Sequence, residues 1–443
     1  MIIYNLTEKM LYDLLMDTIE EGLEKEHSER ERLLDYFEGI NLEHDIKGYF
    51  DSESLSQIPP MYINLVRNII SRRALVYQQA PVRFNEKYTD ILGDFDSVMK
   101  QFEQLTYLLG TEALYTHWDD NAKKLKYRPI HFFTPFFKPN EDEPFAIMYQ
   151  AESHLQGRTE DAQYMFWSKE TEDMEGKHFM ISSRGKITSI VPDDRNPYGD
   201  ILPFNMAHRH PFTRDFFREG ASDLVDGMRS INIMLTELAL HGRFQLGQPV
   251  FTGLDTEQRI QMGQDKALVL PEGANFNYAT PNANVQAMIE STKYMVDSIA
   301  QSNNVRINWT DKSQESGLSK KMGQMDLMDA LRSDTEQIYR PFEKQQFEIA
   351  KRICEVSGGI NLGDQFSIDF AEREVPMSTD EEIKYYSWAF QNDLETRQSY
   401  LRKKNPDFKE EEIQQIVEQI DAEQPQEADE TQSIIDRIGE QVG

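Results

Sequence analysis

The chain has 443 residues, which is too long for one simple core, so two or more subdomains are expected. It is 39% hydrophobic and 11% aromatic, which suffices for packed cores, and its formal net charge of −30 argues against gripping duplex DNA by phosphate neutralisation. This charge fits an ordinary acidic, soluble protein and also a protein that surrounds DNA without adhering to it.

The single cysteine, Cys354, excludes an internal disulfide and suits a reducing cytoplasm. It lies beside Ile353 in a helical apolar pattern, so we expect a buried, inert thiol. No run of about 20 apolar residues occurs, and no transmembrane helix or membrane partner is expected. The stretch after Met1 lacks the basic start and apolar run of a signal peptide.

The first half of the chain predicts mixed α and β structure. Apolar periodicity predicts helices at 6–26, 29–37, 62–78 and 94–109, the second of them capped by Ser28. From about Lys126 the period becomes that of extended chain. Strands are predicted at 128–137, 145–151, 162–168, 178–182 and 187–191.

The middle of the chain predicts two helices around a small module. Ser222 is the expected N-cap of the first helix, and Leu224, Met228, Ile231, Leu235 and Leu238 form its apolar stripe. Residues 248–270 predict short strands at 249–251 and 267–270 around a helix at 256–262. This module is too small for a core of its own and must pack on neighbours. The second helix is predicted at 284–303.

A polar segment, 305–317, leads into a long helix that ends near Val356. The apolar stripe of this helix comprises Leu318, Met322, Met325, Met328, Leu331, Ile338, Phe342, Ile349 and Ile353. Pro341 removes a backbone donor and should kink the helix rather than end it, because the stripe resumes beyond it. A strand at 366–370, helices starting near 378, 393 and 410, and an acidic, solvated tail from Asp421 complete the prediction.

The sequence carries no recognisable catalytic or cofactor signature. His208 and His210 are the nearest approach to a metal pair, but no third ligand has matching spacing. Gly220-Ala221-Ser222 lacks the final glycine of a hydrolase nucleophile elbow, and neither a phosphate-binding loop nor a dinucleotide fingerprint occurs. The prediction is a protein without enzymatic activity, cofactor or metal.

Two sets of features resemble the portal proteins of tailed bacteriophages. The opening of the chain contains, in order, Tyr36-Phe37-Glu38-Gly39, Asn64-Leu65-Val66-Arg67-Asn68-Ile69-Ile70, Ala74-Leu75-Val76-Tyr77 and Ala80-Pro81-Val82. From Gly220 to Val356, the order of helix, small module, helix, loop and kinked helix is similar to the family's stem, clip, second stem helix, tunnel loop and wing helix.

The resemblance implies an α+β, portal-like fold with a defined order of parts. The implied parts are an N-terminal wing (1–219), a stem helix (220–246), a clip (247–283), a second stem helix (284–303), a tunnel loop (304–318), a wing helix with a returning strand (319–392) and a helical C-terminal crown (393–443).

The same resemblance implies roles for individual residues. The expected DNA-facing residues of the tunnel loop are Arg306, Asn308, Trp309 and Lys312. The candidate channel-lining acids are Asp223, Asp226 and Glu237, and the expected clip contacts with terminase or adaptor are Gln248, Phe251, Asp255 and Gln258. The alternatives are a surface loop with Trp309 tucked against its own protein, and an ordinary solvated helix face.

The family forms a ring, usually of twelve subunits, at one capsid vertex, through which a terminase motor pumps DNA. The implied partners are further copies of the chain in a homo-dodecamer, the major capsid protein, the terminase large subunit, a head-completion, adaptor or neck protein, a scaffolding protein, and double-stranded DNA that passes without sequence preference. The implied location is the virion, after assembly in the host bacterial cytoplasm. Another acidic capsid or neck ring component, and with less support an α+β enzyme, remain open.

Overall fold

The computed structural model describes most of the chain. The described residues are 8–21, 24–51, 55, 59–151, 162–172, 174–209, 215–244, 248–252, 275–279, 285–307, 317–370, 379–392, 394–404 and 413–417. The chain divides into two compact units, one made of Met1–Thr310 with Gln324–Arg373, the other of Asp311–Gly323 with Glu374–Gly443.

The architecture is α+β, as predicted. The helices are α1 (Glu8–Glu21), α2 (Glu24–Glu38), α3 (Leu42–Tyr49), α4 (Leu65–Arg73), α5 (Glu86–Ile91), α6 (Phe95–Leu109), α7 (Ser222–Phe244), α8 (Val285–Ser302), α9 (Gly317–Asp334), α10 (Arg340–Ile353), α11 (Thr379–Gln391) and α12 (Arg397–Lys404). The strands are β1 (Val82–Arg83), β2 (Thr111–Asp119), β3 (Lys124–Ile130), β4 (Phe133–Phe136), β5 (Ala146–Gln150), β6 (Gln163–Ser168), β7 (His178–Ser182), β8 (Ile187–Ser189), β9 (Phe204–His208), β10 (Gln248–Thr252), β11 (Asn275–Ala279) and β12 (Ile368–Asp369).

Two antiparallel sheets lie between α6 and α7 in the sequence. One has the strand order β4-β5-β6-β7-β8 and the other has the order β3-β2-β9. The main core of the first unit forms where α6 and α10 contact the second sheet. Buried amides fasten α10 there, because Asn205 donates to the carbonyl of Phe342 at 2.8 Å and Gln346 donates to the hydroxyl of Thr116 at 2.9 Å.

Several N-terminal predictions require correction. Ser28 lies inside α2 and does not cap a helix. The helix predicted at 62–78 is shorter, since α4 begins only after Asn64, whose side chain accepts a hydrogen bond from the amide of Arg67. Helix α3 and strand β2 were not predicted. The short polar stretch that forms α3 buries only Leu42 and Ile46, which is too few residues to show a helical period.

The long helix continues past Pro341, as predicted. A π-helical turn at Thr335–Tyr339 precedes α10, and a second one follows at Cys354–Gly358. In a regular α-helix the ring of Pro341 would clash with the carbonyl group four residues earlier, and the wider π turn relieves this clash. The predicted stripe is buried from Leu331 onward, but Met325 is 58% exposed and was wrongly placed in it. Cys354 is fully buried, and burial raises the pKa of its thiol to about 12.

One C-terminal helix begins later than predicted: α12 starts at Arg397 rather than at 393. Residues 413–417 are helical, inside the segment predicted from 410. No helix in the described part of the chain is long and apolar enough to cross a membrane.

Candidate functional site: the α7–α8 hairpin and the segment after it

Helices α7 and α8 form an antiparallel pair, and the two paired strands β10 and β11 lie between them in the sequence. Gly227 of α7 faces Ile299 of α8, and a Cβ atom on Gly227 would overlap the end of that side chain. At the other end, β10 pairs antiparallel with β11 in the register Gln248↔Ala279 to Thr252↔Asn275. The strand predicted at 249–251 is confirmed, whereas the strand predicted at 267–270 and the helix predicted at 256–262 lie outside the described residues.

Burial falls along the hairpin from its base to its β end. The buried side chains of α7 nearest its start share one core cluster with residues of α2, α3, α4 and α6, and they are Leu224, Val225, Met228 and Ile231. Farther along, most apolar side chains of α7 are only partly buried, namely Ile233, Met234, Leu235, Leu238 and Leu240. In β10, Val250 is exposed. Among the described residues, the chain therefore covers apolar side chains more fully at the base of the hairpin than on its outer half.

An extended segment at 61–63 runs along α7 and satisfies two buried polar side chains. Asn232 accepts from the amide of Ile63 at 3.0 Å and donates to its carbonyl at 3.2 Å. Thr236 likewise accepts from the amide of Met61 at 3.2 Å and donates to its carbonyl at 3.1 Å. Both α7 residues are nearly inaccessible to solvent. These bonds explain why polar residues occupy the covered side of α7, and why 61–63 is extended rather than helical.

Arg209 binds both ends of the hairpin where they meet the body of the unit. Its guanidinium donates to the carbonyl of Gly220, just before α7, and to the side chain of Asn303, just after α8, each at 3.4 Å. It also donates to the carbonyl of Tyr107 at 3.4 Å and lies 4.4 Å from the centre of that ring. The start of α7 is fixed further by the amide of Ala221, which donates to the carbonyl of Leu108 at 2.8 Å.

The ring of Tyr107 also contacts a second guanidinium, that of Arg73, at 4.7 Å. Arg73 is almost fully buried and forms a 2.7 Å ion pair with Asp334, the last residue of α9. Burial raises the pKa of the Asp334 carboxyl, and the charges of Arg73 and Arg209 oppose that rise. Tyr107 thus joins the base of the hairpin to the junction of α9 with the first π turn.

A network of ion pairs covers the first turns of α7. Arg32 of α2 bonds Asp226 at 3.1 Å and Glu29 at 2.8 Å, and the bond from Arg32 lowers the pKa of Glu29. Arg229 bonds Asp45 of α3 at 3.0 Å. Ser222 donates to Glu29 at 2.7 Å and is the first residue of the helix, so its predicted role as N-cap is wrong. Asp226 is thus a partner of α2.

The three predicted acids of α7 differ in their surroundings. Asp226 is held in the network just described, Asp223 is exposed, and Glu237 is half-buried. In the segment after α8, Arg306 is exposed and forms a 3.5 Å ion pair with Asp326 of α9. Val305, predicted to open a polar loop, is buried against the hairpin, and α9 already begins at Gly317. Asn308, Trp309 and Lys312 lie outside the described residues.

The structure describes two of the four predicted clip residues. Gln248 and Phe251 belong to β10, where Phe251 pairs with Phe276 of β11. Asp255 and Gln258 lie outside the described residues. The assignment of these four residues to partner contacts stays a prediction.

His208 is a structural residue of β9. Its Nδ1 lies 3.0 Å from the hydroxyl of Thr111, and burial, with the nearby charge of Arg218, lowers its pKa to about 4. It is therefore neutral near pH 7. His210 lies outside the described residues. In the part of the chain that the structure describes, no three histidine, cysteine, aspartate or glutamate side chains are placed to bind a metal ion.

Sequence reasoning missed the polar residues that organise this region, chiefly Asn232, Thr236, Arg209 and Arg73. Two of these carried a usable signal, because Asn232 and Thr236 interrupt an otherwise apolar helix face and buried polar groups require partners. Arg209 and Arg73 carried none, since their partners are distant in sequence.

Comparison with known proteins gives limited similarity. No family model and no curated protein matches the chain. Among solved structures, the neck of an empty GTA particle, computed with C6 symmetry, is similar with a TM-score of 0.41 and 10% identity over 80% of this chain and 93% of that chain. The virion of a native gene transfer agent (GTA) particle gives a TM-score of 0.38 and 10% identity over 78% and 91% of the two chains. At such values neither similarity identifies the family or the activity of this chain.

Proposed function

We propose that this chain is a portal protein, a subunit of a ring at one capsid vertex through which genomic DNA is packaged, retained and released. The observation that supports this most is the order of parts, in which a helical hairpin with a small β end is followed by a short segment and a long helix interrupted by a π turn. This is the order predicted for the stem helix, clip, second stem helix, tunnel loop and wing helix.

The partly buried apolar side chains of the outer hairpin support assembly into a ring. Side chains such as Ile233 and Leu240 are covered only in part by their own chain. Neighbouring copies that pack side by side would bury them, and a head-to-tail contact between copies closes into a ring when its rotation permits. Val250 of β10 is exposed, and the same packing would cover it.

Electrostatics favour passage of DNA rather than tight binding. The chain carries a formal charge of −30, and a wall with the sign of the duplex repels phosphates and avoids a deep trap. Asp223 is exposed on α7, and Glu237 follows farther along the same helix. Arg306 is paired with Asp326, so its contact with phosphates would be weak and without sequence preference.

Native mass spectrometry of the purified chain, with negative-stain images of the same sample, tests the ring. The expected result is a species of about a dozen copies with a central hole. A compact monomer or dimer that persists at high concentration and at all salt concentrations would refute the proposal.

A deletion tests the role assigned to the segment between α8 and α9. Removal of Asp311–Glu315 is expected to spare ring assembly and to impair packaging or retention of DNA. The matched control replaces the same five residues with a glycine–serine sequence of equal length, which separates the effect of shortening from the loss of side chains. Normal packaging and retention by the deletion variant would contradict the assignment.

A further inference from the structure

The side of α7 that faces away from α8 carries a ridge of apolar side chains. The extended segment on α7 forms this ridge, and the exposed fractions are 47% for Met61, 46% for Tyr62 and 41% for Ile63. Asn232 and Thr236 hold the segment through its backbone, which leaves these side chains at the surface. Neighbouring exposed apolar side chains of this kind mark a surface that contacts a partner.

The outward side of α8 carries an exposed aromatic ring, that of Tyr294, which is 73% exposed. At about 100° per residue, Tyr294 points roughly 140° away from Ile299, the side chain that faces Gly227 of α7. On α7 the same count places Asn232 about 140° and Thr236 about 180° away from Gly227. The ridge and the ring of Tyr294 therefore lie on opposite sides of the α7–α8 pair.

The two surfaces also lie at the same level along the hairpin. Gly227 faces Ile299, which fixes the register of the antiparallel pair. Asn232 follows Gly227 by five residues and Tyr294 precedes Ile299 by five, so both lie about 7.5 Å from that contact, in the direction away from the base. Ile63, whose backbone Asn232 bonds, is thus level with Tyr294.

A second copy of the chain fits both surfaces at once. In the proposed ring, the hairpins stand side by side around one axis, so the outward side of α8 in one copy faces the far side of α7 in the next. Rotation about that axis does not move a copy along it, and surfaces at equal level therefore meet. The ridge and the exposed ring fulfil this condition.

We propose that Tyr294 of one copy packs on the ridge formed by Met61, Tyr62 and Ile63 of the next copy. The two surfaces are different, so each copy uses its ring towards one neighbour and its ridge towards the other, and such a heterologous contact closes into a ring. Tyrosine is enriched among the residues that carry the binding energy of interfaces. The inference rests on the proposed function, because it takes the hairpins to stand around a ring axis, and it adds which two surfaces meet.

Photo-cross-linking of the full chain tests this contact. Benzoylphenylalanine replaces Tyr294, and equal amounts of ordinary and ¹⁵N-labelled chains are mixed before the ring is assembled and irradiated. The expected product joins position 294 to a peptide that covers 61–63, and it includes pairs of one light and one heavy chain. Within one chain the thickness of two helices, about 20 Å, separates the two positions. The matched control places the same group at Ile187 of β8, which is 43% exposed and should give no product with 61–63.

Two further variants test the contact from the side of the ridge. Benzoylphenylalanine at Tyr62 should give the reciprocal mixed product, with a peptide that contains Tyr294. Ile63→Glu leaves the backbone bonds to Asn232 in place, and it should lower the yield of mixed product from position 294 about tenfold, because the contact would bury a carboxylate without a partner.

The outcomes separate this contact from the ring itself. Rings that form without the mixed product, or with a mixed product from position 294 to another segment, would overturn the inference and leave the proposed function standing. If no ring forms, the proposed function fails. The contact is then supported by a mixed product between position 294 and 61–63 in a smaller oligomer, and it is overturned if that product is absent.

Discussion

Replacement of Asn232 by leucine tests how the extended segment 61–63 is held on α7. The leucine keeps approximate size and removes two hydrogen bonds, of 3.0 and 3.2 Å, to the backbone of Ile63. At about 1 kcal/mol each, their loss should lower the local opening free energy of the segment by about 2 kcal/mol. Exchange of the Ile63 amide with deuterated solvent should then be about 30-fold faster.

Mass spectrometry of a peptide covering 59–64 measures this exchange. Because Pro59 and Pro60 carry no amide hydrogen, the deuterium signal comes from residues 61–64. Thr236→Val should speed exchange at Met61 in the same manner. Thr292→Val is the matched control, since Thr292 bonds only a carbonyl of its own helix among the described contacts, that of Met288. Unchanged exchange in Asn232→Leu would refute the reasoning.

Two further predictions concern buried carboxylates. Glu343→Leu should lower the free energy of unfolding by about 3 kcal/mol, because it removes the carboxylate that buried Arg83 bonds at 2.7 Å and leaves it the partly exposed Asp96 at 2.9 Å, whereas the double variant Arg83→Met/Glu343→Leu should lose less; equal losses in urea titrations would contradict this. Burial raises the pKa of Glu103 from 4.5 to about 7, so between these values the folded chain retains a proton that the unfolded chain has released. Stability should therefore fall by up to about 3 kcal/mol as the pH rises through this interval, and a Glu103→Gln variant with the same pH dependence would disprove it.

Elements with a strong, uninterrupted period were predictable from the sequence. Helices α6, α7 and α8 and strands β5 to β7 lie within a few residues of their predicted bounds, because each buries one regular face. Strand β2 was missed because Glu112 interrupts its apolar run, although that carboxylate is fully buried and bonds Arg30 at 2.9 Å. The compensating charge comes from α2, 82 positions earlier in the chain, which no local pattern reveals.

Met325 shows that an apolar residue at a periodic position need not be buried. Its spacing fits the stripe of the long helix, but a periodic position is buried only where another element covers it, and coverage in the described residues becomes continuous only near Leu331. The order of the elements could thus be predicted from the sequence. How much of the long helix is buried could not.

The base of the hairpin shows why the site depends on residues that local patterns hide. Arg209 stood between two histidines that suggested at most a weak metal pair, yet its side chain joins Gly220 and Asn303 and so closes the hairpin at its base. The same tyrosine ring, that of Tyr107, contacts Arg73, which pairs with Asp334 at the end of α9. The segment end of α8, at Asn303, and the distal end of α9, at Asp334, are therefore each linked to this ring through a guanidinium. Sliding α8 along α7 requires breaking the Arg209 contacts, and displacing the end of α9 requires breaking the Arg73 ion pair.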